Sequence, residues 1–516
     1  MKCFIKPVAG ELILSAVLMA TMLQAGVDLP VAASESPTPR PSSVSSALVT
    51  VDPNSVLVDS FDGWGTSLCW WANVCGGYSN REAYARLAFT TLGLNIVRYN
   101  IGGGENPSIT NSLSFRARVP GFEPAESTWN WNADQNQRWM LKRAVALGVN
   151  HVIAFANSPP WWMTVSHSVT GSTNGTDNNL QAGYEQAFSR YLVNVVSNLT
   201  LVDGVKFDAV TPMNEPAANW WVRGGLQEGC HMDAAQQSRV VNDLASALAG
   251  TALTTGIDAP EDNDEQNTIN SLNGYDAPSR SKLTLIGAHT YGANGPAGLR
   301  SIALALRKPL WISEYADQDA SGLPMARRIH DDITQCFAHA WVYWQVVDNY
   351  GGWGCLYNPE DGSGNTNYSY NEKFYVMWQF SHFIRPGCQV WNAGDTNSLV
   401  AYDATNHHLV IVTLNESTDF QHYQYDLSHL GSTGSKAKCW RTSAGEKGAP
   451  LDAVPLTNGQ FAAYAAPQSV TTYVIANVFL GSPQAIRHPL DGQGSQSEPP
   501  TRAALAGGKV GANRNP

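Results

Sequence analysis

Two glutamates far apart in the chain are the residues best placed to do chemistry. Glu215 lies in the run TPMNEP with Asn214 just before it, and Glu314 lies in PLWISEYAD. Breaking a glycosidic bond needs two carboxyls, one to protonate the leaving oxygen and one to attack or to activate water. Either glutamate alone reads as a solvated loop carboxylate; the pair, with an asparagine beside the first, reads as a site. Arg98 follows another apolar run and is able to hold a carboxylate ionised through a charge-assisted hydrogen bond, or to serve as a structural salt bridge. Aromatic residues recur at equivalent places: Trp161 and Trp162 in NSPPWWM, His289 and Tyr291 in GAHTYG, Trp344 in YWQVVDN, and Trp64, Trp70 and Trp71 in FDGWGTSLCWWA. A lone tryptophan is more often core than platform, but this many beside two carboxyls fits sugar rings, whose apolar faces stack on indoles.

These residues need a frame that gathers them. Short β-branched or aromatic runs alternate with helix-like stretches from Phe61 to about Phe383, the pattern of βα units. Eight strands are expected, at Phe61–Ser67, Asn95–Asn100, His151–Asn157, Asp208–Asn214, Leu253–Ala259, Leu283–Thr290, Leu310–Glu314 and Trp341–Val347. Helices are expected at Asn80–Leu92, Asp134–Leu147, Leu180–Leu199, Ala234–Leu248 and Leu323–Gln335. Eight such units make an α/β (β/α)8 TIM barrel, whose reacting groups sit at the C-terminal ends of the strands. A doubly wound sheet would carry a phosphate turn after its first strand; Gly102–Gly104 follows the second and lacks that spacing. After Ile384 short alternating runs predict an antiparallel β-sandwich. The expected organisation is a leader (1–33, cleaved near 25 or 33), a linker (34–46), a barrel (47–383, of which 47–60 is available to the sandwich), a β-sandwich (384–480) and a tail (481–516).

Composition narrows the ligand. Lys plus Arg number 32 against 43 Asp plus Glu, a net charge of -11, which disfavours a phosphate backbone. Lys2 and Lys6, an apolar run from Leu12 to Leu23 and small residues after it have the form of a secretory signal, so a secreted, extracellular chain with no membrane anchor after cleavage is expected. Sequons at Asn174, Asn198, Asn367 and Asn415 are glycosylation candidates. Removing Cys3 leaves seven cysteines, an odd number that forces a free thiol or an intermolecular bond; Cys69 with Cys75 and Cys388 with Cys439 are conceivable pairs. Nothing in the motifs calls for a cofactor, a metal or an oligomer, and the expected partner is a polysaccharide bound by a monomer.

At N-E-P (Asn214–Pro216), S-E (Ser313–Glu314), Arg98, H-x-Y (His289–Tyr291) and Trp344 the chain resembles glycoside hydrolase family 30, over about residues 47 to 480. FDGWGTSLCWWA and RYNIGGGEN resemble the branch containing endo-β-1,6-galactanases, secreted enzymes that cut the galactan side chains of arabinogalactan. The resemblance implies Glu215 as acid/base and Glu314 as nucleophile of a retaining double displacement. It further implies Asn214 on the sugar 2-hydroxyl, Tyr291 supporting Glu314, Trp344 as the floor under the sugar attacked, and Glu105 as a looser match to a sugar-binding acid. Arg98 and His289 would steady the nucleophile, with Trp64 and Trp161 among the sugar platforms. Alternatives on the same fold are a β-1,6-glucanase, a glucuronoxylanase or a β-glucosidase; an alternative of a different class is a non-catalytic carbohydrate-binding protein.

Overall fold

The computed structural model describes residues 46–109 and 113–481. The expected leader, the linker up to its last residue and the tail beyond 481 lie outside the described residues. Parallel strands at Gly63–Ser67, Ile96–Asn100, His151–Phe155, Ala209–Thr211, Gly256–Ile257, Ile286–His289, Leu310–Tyr315 and Ala340–Tyr343 pair in chain order, and the eighth pairs with the first. A parallel bridge between Asp258 and Leu285 joins the fifth to the sixth, closing the expected (β/α)8 barrel. Strands buried on both faces are near-continuously apolar, as in Ile96–Val97. Their inward residues Ile96, Ile153, Ala209, Leu285, Trp311, Ala340 and Val342 form a separate apolar cluster, the packed interior. Side chains alternate across a strand, so Arg98 stands on the same side as Ile96, nearer the mouth.

The expected helices are present with shifted ends, at Arg81–Arg86 running into a wider turn to Thr91, Gln135–Ala146, Glu185–Asp203, Ala234–Ala249 and Leu323–Cys336. The last is amphipathic and lays Met325, Ile329 and Ile333 against the barrel. Helices at Glu265–Gly274, Ala277–Lys282, Pro296–Leu306 and Glu372–Ser381 were not anticipated. Asp233, Asp264 and Asp276 cap the helices that begin at Ala234, Glu265 and Ala277 by accepting from the backbone N–H three residues on. Strand eight stops at Tyr343, short of the expected Val347, because Val347–Asp348 pairs instead with Leu356–Tyr357.

The sandwich draws on both ends of the described chain. Val56–Val58 pairs with Gln389–Trp391 at the edge of a seven-stranded antiparallel sheet, and Ser46–Thr50 pairs with Gln421–Asp426 in a facing three-stranded sheet. Trp391, Tyr402, Tyr425, Phe461 and Tyr473 fill the space between, with Tyr425 and Phe461 stacked 4.4 Å apart. Helix Glu372–Ser381 joins barrel to sandwich, where Gln379 donates to Thr442 Oγ1 at 2.9 Å and accepts from Thr472 Oγ1 at 2.6 Å. All seven described cysteines are buried free thiols, so neither conceivable pair is a disulfide. Asn174 and Asn367 lie exposed in loops and Asn198 is half-buried on a helix. Asn415 is unsuited to a glycan: it is buried, and its amide donates to the carbonyls of Asp419, Ala465 and Ala466.

Candidate active site

The second strand carries Arg98, completely buried beneath the mouth. Its Nη1 donates to Glu314 Oε2 at 2.7 Å and to Ser67 Oγ at 3.2 Å, and its Nη2 donates to Asn214 Oδ1 at 3.1 Å and to Glu261 Oε2 at 3.0 Å. Burial works against the guanidinium charge, but Glu261 and Glu314 outweigh it and raise its pKa above the ordinary value. One cation therefore ties the first, second, fourth, fifth and seventh strands together at the residue level where barrel sites lie.

Glu314 reaches this level through an irregularity in its own strand. Ala288 pairs with Ile312 but His289 pairs with Glu314, so Ser313 is an extra residue. Such bulges re-aim side chains, and here Ser313 Oγ donates to Glu261 Oε2 at 2.6 Å while Glu314 accepts from Arg98 and, at 3.0 Å, from Tyr291. Burial pushes the Glu314 carboxyl above the usual carboxylate range; His289 and Arg98 oppose that rise and Glu215 adds to it.

Glu215 sits just past the fourth strand with a left-handed backbone, φ 49°, a conformation uncommon outside glycine and characteristic of functional turns. Its N–H donates to Glu261 O at 2.7 Å, and its own carbonyl accepts from Trp221 Nε1 at 2.9 Å. His289, fully buried, lies at the centre: Nδ1 is 3.2 Å from Glu215 Oε1 and 3.5 Å from Glu314 Oε1, and Nε2 is 3.0 Å from Glu261 Oε2. Burial would lower the imidazole pKa, but Glu314 and the other two carboxylates push it up to about 10. Glu215, His289 and Glu314 each bring a ligand atom within 4.8 Å of the other two.

Other expected residues divide. Trp344 is half-buried and meets Trp70 edge-on at 5.2 Å. Trp70 is the more informative of the first-strand tryptophans: its backbone N–H donates to Gln345 Oε1 at 3.0 Å, while its buried indole N–H has no partner among the described residues. Trp64, expected as a sugar platform, is instead core: it is 0% exposed and its Nε1 donates to Ile384 O at 2.7 Å. Gly65 pairs with inward Ile96, so its neighbour Trp64 points outward and packs between sheet and helices, away from the mouth. Trp161 is half-buried on the third-strand loop with its Nε1 on Pro124 O at 3.0 Å. Glu105 is outside the Arg98 cluster, exposed and 3.6 Å from Arg118. The residue missed is Glu261, after the fifth strand, the one strand end from which no candidate was drawn.

Against known proteins, the model of O-glycosyl hydrolase family 30 matches residues 60–287. The chain is 34% identical to an endo-beta-1,6-galactanase from Hypocrea rufa over 465 residues, covering 84% of this chain and 95% of that protein. The chain belongs to glycoside hydrolase family 30. As a family 30 glycoside hydrolase it is also 25% identical to an exo-beta-1,6-galactobiohydrolase from Bifidobacterium longum subsp. longum, over 78% of this chain but 37% of that longer protein. The catalytic domain of a family 30 xylanase C from Talaromyces cellulolyticus shares the fold, with a TM-score of 0.66 at 20% identity, covering 83% of this chain and all of the other. Two neighbouring carboxyls with an arginine hydrogen-bonded to one of them are chemically suited to the glycoside hydrolysis of family 30.

Proposed function

We propose that the chain is a secreted, monomeric, retaining endo-glycosidase that hydrolyses the β-1,6-galactan side chains of arabinogalactan. The observation that carries the specificity is the similarity to an endo-beta-1,6-galactanase along nearly the whole of both chains. Glu314, held by Arg98 and Tyr291, attacks the anomeric carbon while Glu215 protonates the departing O6. Water activated by Glu215 then releases the sugar with its β configuration kept. Carboxyl oxygens within 4.8 Å of each other favour this route, since inverting enzymes leave about 6.5–9.5 Å for a water between the groups. Trp344 and Trp70 offer the apolar floor for a neutral sugar.

Incubation with β-1,6-galactan and, separately, β-1,6-glucan tests the specificity. Rapid release of oligosaccharides from galactan alone, with the β anomer first in proton NMR, is expected; initial α anomer, or preference for glucan, overturns it. The similarity to an exo-beta-1,6-galactobiohydrolase favours a second reading, exo action, which would give disaccharide as the first product with little loss of viscosity. Secretion is checked by finding the chain in culture medium, cleaved near residue 25 or 33.

A further inference from the structure

We propose that Glu261 is a positioning residue of the glycosidase reaction: backed by Asp258, it anchors Arg98 and His289, and through them fixes Glu314 and Glu215 in their mutual geometry. Glu261 is 0% exposed and takes three donors on one oxygen, from Arg98 at 3.0 Å, His289 at 3.0 Å and Ser313 at 2.6 Å. Its backbone, left-handed at φ 61°, is clamped from both sides, donating to Gly287 O at 3.0 Å and accepting from Glu215 N at 2.7 Å. The same residue thus holds the acid/base by its main chain and the nucleophile's two cations by its side chain.

The second oxygen explains Asp258. Glu261 Oε1 and Asp258 Oδ1 are both buried without another hydrogen-bond partner among the described residues, and both converge on one spot beside Gly287. A Cβ there would lie 2.1 Å from the first and 2.7 Å from the second, so only glycine leaves room for the two. Two facing carboxylates repel, and one proton between them converts two orphaned acceptors into a short charge-assisted bond. Asp258 is the group that holds it: burial first, then Glu261, raises its pKa well above the ordinary value, and its other oxygen accepts from Thr211 Oγ1 at 3.0 Å. Arg98 and His289 overcome the burial of Glu261 and hold it ionised.

The result is a stack of alternating charge, from the protonated Asp258 to anionic Glu261, the cations Arg98 and His289, and the two reacting carboxyls. Groups facing His289 are Glu215 and Glu314 at Nδ1, Glu261 at Nε2, Tyr291 edge-on at 6.0 Å and Asp262, whose carbonyl accepts from the His289 backbone N–H at 2.9 Å. Without Glu261 the imidazole loses the carboxylate hydrogen-bonded to its Nε2, and holds its proton less firmly.

The inference rests on Glu215 and Glu314 being the reacting pair, so Glu314→Gln is assayed beside every variant on β-1,6-galactan. If Glu314→Gln keeps wild-type turnover, that assignment falls and this one with it. With Glu314→Gln inactive, Glu261→Gln is expected to lower kcat about tenfold or more at nearly constant KM, and to move the alkaline limb of the kcat profile acidward by about one pH unit or more. Wild-type kcat and an unmoved profile in Glu261→Gln overturn the inference, whatever its melting temperature. Asp258→Asn, whose amide N–H replaces the shared proton, is expected to recover about tenfold of the rate lost in Asp258→Ala; equal loss in both overturns the role of Asp258. A measurement on the unaltered protein covers a Glu261→Gln chain that does not fold. Nitrogen-15 shifts of His289, assigned against His289→Asn, are expected to show both ring nitrogens protonated at about pH 8, and a neutral ring overturns the inference.

Discussion

Two buried arginines sit among carboxylates at the barrel mouth, and they differ in where the carboxylates come from. Arg98 projects from a strand and gathers Glu261 and Glu314 from two others, with Asn214 after a fourth. Arg116 projects from the single turn Phe115–Ala117 and gathers Asp348, at 3.1 Å through both nitrogens, Glu360 at 3.1 Å, Gln345 and Asn349, all from one loop after the eighth strand. The first cluster joins rigid elements and leaves carboxyl oxygens facing a substrate. The second closes a loop beside Trp70, whose ring centre is 5.6 Å from the Arg116 guanidinium and whose backbone N–H donates to Gln345 Oε1. Similar ion-pair chemistry thus ties carboxyls to strands in one place and closes a loop in the other, and strands fix atoms more closely than loops do.

Matched carboxyls give the sharpest break. Glu314→Gln is expected to cost about 10⁴-fold or more in rate on galactan, as removing a nucleophile does, while Glu360→Gln, which keeps the side chain's shape and a polar oxygen beside Arg116, is expected to stay within about threefold. Initial rates on refolding-checked protein decide it, and equal losses would erase the distinction between the clusters.

Matched arginines come next. Lysine cannot fork to two carboxylates at once, so Arg98→Lys leaves Glu314 or Glu261 short of a donor and is expected to lower kcat about 10²-fold with little change in KM. Arg116→Lys relaxes the loop beside Trp70 instead, and is expected to raise KM about three- to tenfold with kcat nearly kept. A kcat effect in Arg116→Lys as large as that in Arg98→Lys would place both arginines in the chemistry.

The contrast also accounts for what was legible beforehand. Strand ends with aromatic or N-E-P signatures announced Arg98, Asn214, Glu215, His289, Tyr291 and Glu314, and the barrel brings all six into one hydrogen-bonded cluster. Glu261 was hidden because the fifth strand is two residues long and runs into the acidic stretch EDNDE, which in sequence has the look of a solvated loop; only burial reverses that. Trp64 failed the opposite way, since an indole beside a strand says nothing of which face it takes. Arg116 lies on a long loop with no periodicity, and its partners become neighbours only because Val347–Asp348 leaves the barrel to pair elsewhere. The sandwich's share of residues 46–58 depended on pairings of distant strands, which alternation alone does not specify.

The smallest expected effect separates the clusters by pH and concerns stability alone. His289 gains a proton affinity on folding, from an ordinary value of about 6.5 to about 10 in the fold. A cationic group raised in this way stabilises the fold fully below its unfolded value, and that contribution is lost as pH rises through the folded one. Glu360 is raised as well, to about 8, by burial with Arg116 holding the rise back. Its window is lower: the unfolded carboxyl ionises near 4.3, so its contribution is complete below that and is lost on the way to about 8. Melting temperature against pH is therefore expected to fall more gently in Glu360→Gln than in the wild type between about 4.3 and 8, and more gently in His289→Asn between about 6.5 and 10. Coincident flattening in both variants would mean that the two clusters titrate as one network, and the division between a reacting cluster and a loop-closing one would no longer hold.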